Sequence, residues 1–359
     1  MKKSTKHSSN NVHCHGKRIV AFALSAVFLT ACCPIAFAAE DSSAPLTPEQ
    51  ISGMTNEQLA AIPQEQSDAT LSKMAQLFKD GEKETLDEYL SALGFATTYE
   101  EHETQKEQEW LETQASLNPS IQPLWQSDSW NTAPEKACHE NLTSYGILLY
   151  IGAMAELFNI SGSFGYTLSE VETLSDESAW PDKFGWTTLY ADHFYDPDTG
   201  KSWNVLSNTA RDKAAAYYND AVDKFKDGKR EDALQDLGRG LHFVQDVGVP
   251  HHAANLKVES NDANNHQGFE QLASSILLNE SLMDNVEFEH DAAFYNACLT
   301  QDIGSFVHEI ASNSKPLSGY ASDKTNDTRQ RLAAVTSLSV TVQNTAGVLY
   351  KFAKEVGMI

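Results

Sequence analysis

Apolar residues recur three and four positions apart along much of the chain, which is the spacing of one face of an α-helix. In residues 209–228, for example, Ala214, Tyr217 and Phe225 share a face, and a glycine closes the run. Comparable runs cover residues 141–158, 230–248, 265–279, 302–313 and 326–355. The pattern predicts an all-α, multi-helix domain over residues 130–359, which is long enough to bury one sizeable core.

The first 39 residues have the pattern of an export signal. Basic residues precede an apolar run from Ile19 to Ala31, which is too short for a stable membrane span. A signal-peptidase site fits after Ala38, so we expect secretion, whereas a competing lipobox at Cys32 would leave a lipid anchor in the cell envelope. No later stretch is long and apolar enough for a second span, so the mature chain is expected to have no transmembrane segment.

A shift in composition marks residues 40–129, which hold 18 acidic residues against 4 basic ones. Helical runs occur here too, and Leu71, Met74 and Phe78 form an apolar stripe. The stripe needs a partner surface, because a short helix alone is marginal in water. The segment ends in a linker rich in proline and serine. We interpret it as an acidic helical propeptide with its linker, and a small independent helical domain is the alternative.

Charge and cysteine content narrow the partners and the compartment. Residues 130–359 carry 32 acidic residues against 17 basic ones, which disfavours nucleic acid and anionic membrane surfaces as partners. Of five cysteines, only Cys138 and Cys298 lie beyond the export segment. A disulfide between them is possible outside the cell, but the sequence leaves their pairing open.

Histidines and carboxylates at helical spacing are concentrated in residues 237–270. His242 and Asp246 lie four residues apart, so both side chains project from one helix face, and His266 and Glu270 repeat that spacing. Either pair alone is typical of a solvated surface. Apolar residues interleave with the first pair, however, so it is expected on a buried face, where a histidine and a carboxylate need partners. Together the pairs supply the imidazole and carboxylate ligands that zinc takes.

Two stretches of the chain resemble a known family. They are LHFVQDVGVPHHAANL from Leu241, followed by HQGFE, and HFYDPDTGKSW from His193. Both are similar to signatures of the bacterial zinc-dependent phospholipases C, the alpha-toxin-like enzymes, whose fold is related to that of the S1/P1 nucleases. The resemblance covers residues 130–359 and none of 40–129. It implies a monomeric enzyme with three zinc ions, which hydrolyses glycerophospholipids at a membrane or micelle surface to diacylglycerol and a phosphorylated head group.

The resemblance assigns zinc ligands position by position. One zinc takes His193, His242 and Asp246, a second takes His252, His266 and Glu270, and a third takes Trp130, His139 and the other oxygen of Asp246. The third ion would be bound by the free amino group and the carbonyl of Trp130. That amino group becomes free only when a processing protease cuts after Ser129, and Trp125 is the competing start. The uncut precursor is therefore expected to bind the third zinc poorly or not at all.

Further residues are assigned by the same resemblance. Asp182 corresponds to the candidate general base, and an ordinary turn residue is the alternative. Tyr190 is expected to contact a choline-type ammonium through its ring. Ala133 and Lys183 depart from the pattern of choline-preferring members, so the head-group preference stays open. His251 lies outside the pattern and is expected to be a solvated neighbour of the ligands.

Two other functions remain open from the sequence. An S1/P1-type zinc nuclease would use a nearly identical cluster, but such enzymes usually show Asn-Leu-His-x-x-Trp-Asp where residues 265–270 read Asn-His-Gln-Gly-Phe-Glu. A non-catalytic zinc-binding lipoprotein, held in the envelope through Cys32, would bind metal without turnover.

Overall fold

The computed structural model of the protein describes most of the chain. The described residues are 43–98, 136–158, 160, 164–183, 188–258, 262–280, 288 and 291–359. The export segment with Cys32, the linker with Trp125 and Ser129, the candidate ligand Trp130, and Ala133 lie outside them. Within the described residues the chain forms helices and turns without a β-strand, so the predicted all-α fold is confirmed.

The helices are numbered here in chain order. They are α1 Pro48–Ser52, α2 Asn56–Ala60, α3 Gln64–Lys79, α4 Lys83–Ala92, α5 Lys136–Leu157, α6 Leu168–Ser178, α7 Ala210–Lys226, α8 Arg230–Asp246, α9 Pro250–Ala253, α10 His266–Asn279, α11 Ala292–Thr300, α12 Ile303–Ser314, α13 Ser318–Ala321 and α14 Asp327–Glu355. Short 3-10 helices occur at Pro181–Lys183, Ala191–His193 and Lys315–Leu317.

Local capping explains where several of these helices begin. The Thr209 and Asp212 side chains each accept a hydrogen bond from the other residue's backbone N–H, so α7 starts at the predicted place. Thr167 and Glu170 form the same arrangement at the start of α6. Neither α6 nor α11 was among the predicted runs, and this capping box is the signal that would have found α6.

Helix α8 lies at the centre of the fold and packs against α5, α6, α7 and α14. Two glycines allow the close approach of its neighbours. A Cβ on Gly238 would lie 2.7 Å from the backbone oxygen of Leu174 in α6, and one on Gly240 would lie 3.4 Å from Cβ of Tyr217 in α7. The hairpin between α7 and α8 turns at Gly228, whose φ of 78° favours glycine. The end of α8 is thereby fixed inside the protein.

The expectation that no later stretch is long and apolar enough for a span is wrong by length and composition alone, because the C-terminal helix α14 meets both criteria. Its most apolar 18-residue window has a mean hydropathy of 1.2, but 67% of that window is buried inside the protein. This burial is typical of a core helix, because α14 packs against α5, α10 and α11.

The N-terminal arm, defined as residues 43–98, does not form a core of its own. Its buried apolar residues belong to the same hydrophobic cluster as those of the helical body, residues 136–359. Helix α3 packs against α5 and α6, and α2 packs against α6. The surface that the apolar stripe of α3 was predicted to need is therefore supplied by the body.

The two cysteines of the body are both free thiols. Cys298 is buried on α11, beside Gly347 of α14, whereas Cys138 lies in the first turn of α5. The disulfide that the sequence left open is not formed, because the two thiols belong to different surroundings. Burial raises the pKa of each thiol to about 12.

Candidate metal centre

The predicted ligands converge where several elements end. The start of α5 brings His139, the end of α8 brings His242 and Asp246, and the 3-10 turn Ala191–His193 brings His193. Helix α9 contributes His252, the first turns of α10 contribute His266 and Glu270, and the turn Pro181–Lys183 contributes Asp182. Each of these side chains is buried, with no more than 8% of its surface exposed. Trp130 lies outside the described residues.

Asp246 is the centre of the first group. Its Oδ2 lies 3.0 Å from Nδ1 of His193 and 3.2 Å from Nε2 of His242. Its Oδ1 lies 3.4 Å from Nδ1 of His252 and 3.8 Å from Nε2 of His139. Both oxygens are buried, and no described residue gives either of them a hydrogen bond of good geometry. A buried carboxylate without hydrogen-bond donors needs a nearby cation to offset the cost of burying its charge.

The second group is formed by His252, His266 and Glu270. Oε1 of Glu270 lies 2.6 Å from Nε2 of His266 and 3.3 Å from Nε2 of His252. The two Nε2 atoms are themselves 3.1 Å apart. The His266 and Glu270 spacing on α10 thus brings both side chains to one point, as their separation in sequence predicts.

The hydrogen bonds of the outer ring nitrogens show that the residues fit a metal. Nδ1 of His242 donates to the backbone oxygen of Ser178 at 2.8 Å, and Nδ1 of His266 donates to that of Leu256 at 2.6 Å. Nδ1 of His252 donates to the oxygen of His193 at 3.1 Å. Because a carbonyl can only accept, these Nδ1 atoms carry the proton, and in the neutral rings Nε2 keeps its lone pair.

Facing lone pairs then require a positive charge between them. With both Nδ1 atoms protonated, the Nε2 atoms of His252 and His266 point acceptors at each other across 3.1 Å. Three sets of residues each have donor atoms that all lie within 4.8 Å of one another, which is a separation suited to one ion per set. They are His139, His242 and Asp246; Asp182, His193 and His242; and His252, His266 and Glu270. Imidazole and carboxylate donors in such sets are suited to zinc.

Burial and charge move the pKa values of this cluster in opposite directions. Burial lowers the pKa of His139 to about 4, and the charge of His242 adds to the effect. Burial also acts against the charged forms of His242 and His252, but neighbouring carboxylates outweigh it and raise their pKa values to about 9 and about 10. Burial acts to raise the pKa values of Asp246 and Glu270, yet neighbouring imidazoles hold both values well below the usual range. Protons therefore compete with metal for this cluster.

Gln245, which was not among the predicted site residues, holds His139 in place. Its Oε1 lies 2.7 Å from Nδ1 of His139, and its Nε2 donates to Oγ1 of Thr143 at 2.8 Å. Because the amide oxygen can only accept, Nδ1 carries the proton and Nε2 of His139 is the atom that faces Asp246. The residue is fully buried beside Asp246 on α8. Its position directly before a predicted ligand was the only signal available from the sequence.

We expect Gln245→Met to weaken metal binding at His139 while leaving the fold intact. Methionine keeps the volume of the side chain but does not replace the amide oxygen that accepts the hydrogen bond from Nδ1 of His139. Loss of such an outer-sphere partner lowers metal affinity by about 10–100-fold. Zinc titration of the metal-free protein measures the effect. Gln271→Met, at an exposed position on α10, is the control. Equal zinc affinity in both variants would contradict this role for Gln245.

Asp182 and Tyr190 lie beside the cluster. Oδ1 of Asp182 is 3.6 Å from Nε2 of His242 and 3.7 Å from Nδ1 of His193, and its Oδ2 is 3.8 Å from Nε2 of His139. Tyr190 is half-buried and adopts a left-handed backbone conformation with φ 56°. Its ring centre lies 5.4 Å from that of His193, and its hydroxyl donates to the backbone oxygen of Asp182 at 3.5 Å. Lys183, by contrast, is exposed.

The expectation that His251 is solvated is wrong. Its side chain is fully buried and stacks on His266, with ring centres 4.8 Å apart and planes 14° from parallel. Its Nε2 donates to the backbone oxygen of Asn264 at 3.0 Å. The short helix α9 causes this burial, because its single turn places both of its histidines inside the protein.

Part of the chain that holds this cluster is similar to known proteins. Residues 173–327 match the family model described as zinc dependent phospholipase C. The predicted resemblance is confirmed: this part of the chain is similar to the zinc-dependent phospholipases C. The matched range contains His193, His242, Asp246, His252 and, at the start of α10, the last predicted histidine and glutamate pair.

Individual relatives carry the same name. A phospholipase C of Bacillus cereus is 30% identical over 141 residues, which are 39% of this chain and 47% of the relative. A second from the same organism is 34% identical over 97 residues, which are 27% of this chain and 34% of the relative. Phospholipase C of Clostridium haemolyticum is 26% identical over 213 residues, which are 55% and 53% of the two chains.

The chain spans about half or less of the length of the first curated relatives that it matches. The solved structure of Clostridium perfringens alpha-toxin from an avian strain aligns over 61% of this chain and 63% of its own, with a TM-score of 0.49 and 22% identity. That likeness is below the level that establishes a shared fold.

Proposed function

We propose that this protein is a secreted zinc-dependent phospholipase C, which hydrolyses glycerophospholipids to diacylglycerol and a phosphorylated head group. The observation that carries the proposal is the buried Asp246 carboxylate, which lies within 3.0–3.8 Å of nitrogen atoms from four histidines without a hydrogen bond from the described residues. The zinc-dependent phospholipase C match over residues 173–327 supports the same conclusion.

Three zinc ions are proposed, with ligands shared among the cluster. The first would be held by His193, His242 and Asp246, the second by His252, His266 and Glu270, and the third by Trp130, His139 and Asp246. When bound, zinc lowers the pKa of water and neutralises the oxygens of a phosphodiester. The protein's part is to fix this donor set in a buried site with hydrogen-bonded outer nitrogens.

Two further residues have proposed roles at the substrate. Asp182 would accept the proton of the attacking water, because its Oδ2 is buried beside the cluster and has no hydrogen-bond donor among the described residues. Tyr190 would contact the head group of the lipid, because its ring lies next to His193 at a half-buried position. The protein would act as a monomer at a membrane or micelle surface.

Activation by proteolysis is part of the proposal. The amino group of Trp130 is an amide until the chain is cut after Ser129, and both residues lie outside the described part of the chain. An amide nitrogen is a poor zinc ligand, so the uncut precursor would lack one ligand of the third ion. The cut would therefore complete the site rather than uncover it.

We expect a variant that cannot be cut between Ser129 and Trp130 to bind less zinc and to turn over phospholipid more slowly than the processed protein. Zinc counting and phosphatidylcholine hydrolysis on the same preparations measure both effects, and the mass of the secreted wild-type chain shows where it was cut. Full activity and equal zinc in the uncut form would contradict activation by cleavage.

The same assays separate the alternatives. Hydrolysis of single-stranded nucleic acid without hydrolysis of phospholipid would replace the phospholipase with an S1/P1-type nuclease. Bound zinc with no turnover on either substrate, together with a lipid on Cys32, would indicate an envelope lipoprotein. The excess of acidic residues in the body favours the phospholipase over the nuclease.

A further inference from the structure

The N-terminal arm covers a face of the body formed by α5 and α6. Leu71 and Met74 of α3 and Leu90 of α4 are completely or almost completely buried. The ring of Phe78 stacks on that of Tyr145 in α5, with centres 5.0 Å apart. Because the arm and the body belong to one hydrophobic cluster, removing the arm would expose apolar side chains on both of them.

Buried hydrogen bonds join the arm to the body as well. The backbone N–H of Leu168 donates to Oγ of Ser67 at 2.8 Å, and that of Phe164 donates to Oδ1 of Asp68 at 3.3 Å. Near the end of the arm, Nδ2 of Asn141 in α5 donates to the backbone oxygen of Ala96 at 3.0 Å. These bonds fix the arm at two separate places on the body.

We propose that the arm stays bound to the body after the chain is cut, so that the processed protein is a non-covalent complex of two chains. The inference rests on the proposed cleavage before Trp130. The cut falls between the arm, which ends at residue 98, and α5, which begins at Lys136. It therefore breaks the covalent link and leaves every contact described above intact. The arm would be a lasting part of the enzyme and not a propeptide that is released.

Retention of the arm also bears on the metal centre. Asn141 follows the candidate ligand His139 by two residues in α5, so the bond to Ala96 holds the helix turn that carries this ligand. The side chain of Asn141 is completely buried. Loss of the arm would free this first part of α5, and zinc binding at His139 would weaken.

The test uses the full chain with a specific protease site placed directly before Trp130. A protease whose recognition sequence lies wholly before the cut leaves Trp130 as the new first residue. After digestion, native size-exclusion chromatography followed by intact mass of the peak shows which chains remain together. We expect both chains in one peak at a ratio of one to one, and their separation only in denaturant. Elution of the arm fragment apart from the folded body would overturn the inference.

Substitutions in the arm make the result quantitative. Leu71→Ala removes a fully buried side chain and should speed dissociation of the cut arm by at least about 30-fold. Ser67→Ala removes one buried hydrogen bond and serves if Leu71→Ala does not fold; its arm should also leave faster than the wild-type arm. Lys73→Ala, at an exposed position of the same helix, should leave the rate unchanged. Identical rates for all the variants would contradict the proposed interface.

The two proposals fail in different ways. Co-elution is read without any activity measurement, so it reports on the arm alone. Phospholipase activity of the same peak, compared with that of the undigested protein, reports on activation by the cut. Co-elution without a gain in activity would contradict activation by cleavage and support retention of the arm. A gain in activity with loss of the arm would support activation and contradict retention.

Discussion

Asp246→Asn is expected to remove bound zinc and to lower phospholipase activity by more than about 100-fold. Changes to outer-sphere partners of metal ligands already cost about 10–100-fold, and Asp246 lies directly between the imidazoles of the cluster. Asparagine has the same shape, but it lacks the negative charge that would balance the proposed zinc ions. Zinc content and phosphatidylcholine hydrolysis are measured on the same folded sample.

Asp236→Asn is the matched control for that experiment. Asp236 is a buried aspartate of the same helix, and it pairs with Lys224 and Arg239 away from the metal centre. Its replacement should lower stability without changing the amount of zinc per folded chain. If the Asp246→Asn protein keeps all of its zinc and its activity, Asp246 is not needed for metal binding, and the proposed metal centre is contradicted.

Asp182→Asn is expected to lower activity by about 10²–10⁴-fold, the contribution typical of a general base, while the zinc content stays at the wild-type value. The nearest ring nitrogens are 3.6–3.8 Å from its carboxylate oxygens, farther than the closest nitrogens lie from Asp246. This difference supports the proposal that Asp182 acts on the attacking water and does not bind a metal. Asp176→Asn, at an exposed position of α6, should behave as wild type.

Both readouts are needed for Asp182. A loss of activity together with a loss of zinc would make Asp182 a ligand, as its place in one of the three donor sets allows. Unchanged activity would exclude it as the base, and the water would then be activated without this carboxylate.

Short-range spacing made much of the site predictable from the sequence. The separations of four residues between His242 and Asp246 and between His266 and Glu270 are properties of a single helix, so the sequence alone places each pair on one face. The helix runs were predictable for the same reason. Spacing in the sequence does not show that His193, in a turn 49 residues before His242, lies close to it. Nδ1 of His193 is 2.9 Å from Nε2 of His242.

The parts that escaped prediction depend on tertiary contacts. Gln245 orients His139 from a position 106 residues later in the chain, and its place directly before Asp246 does not show which side chain it contacts. His251 was expected in solvent because its burial depends on tertiary contacts, such as the stacked ring of His266. The apolar stripe on α3 predicted that a partner surface exists. The identity of that surface depends on how the helices of the body pack together.

A zinc count tests the proposed metal centre, on processed protein that is purified without added metal or chelator and quantified by amino-acid analysis. We predict three zinc ions per chain that begins at Trp130, and loss of phospholipase activity when a chelator removes them. A folded and processed protein with less than one zinc per chain, or one that keeps full activity after zinc removal, would contradict the proposed metal centre.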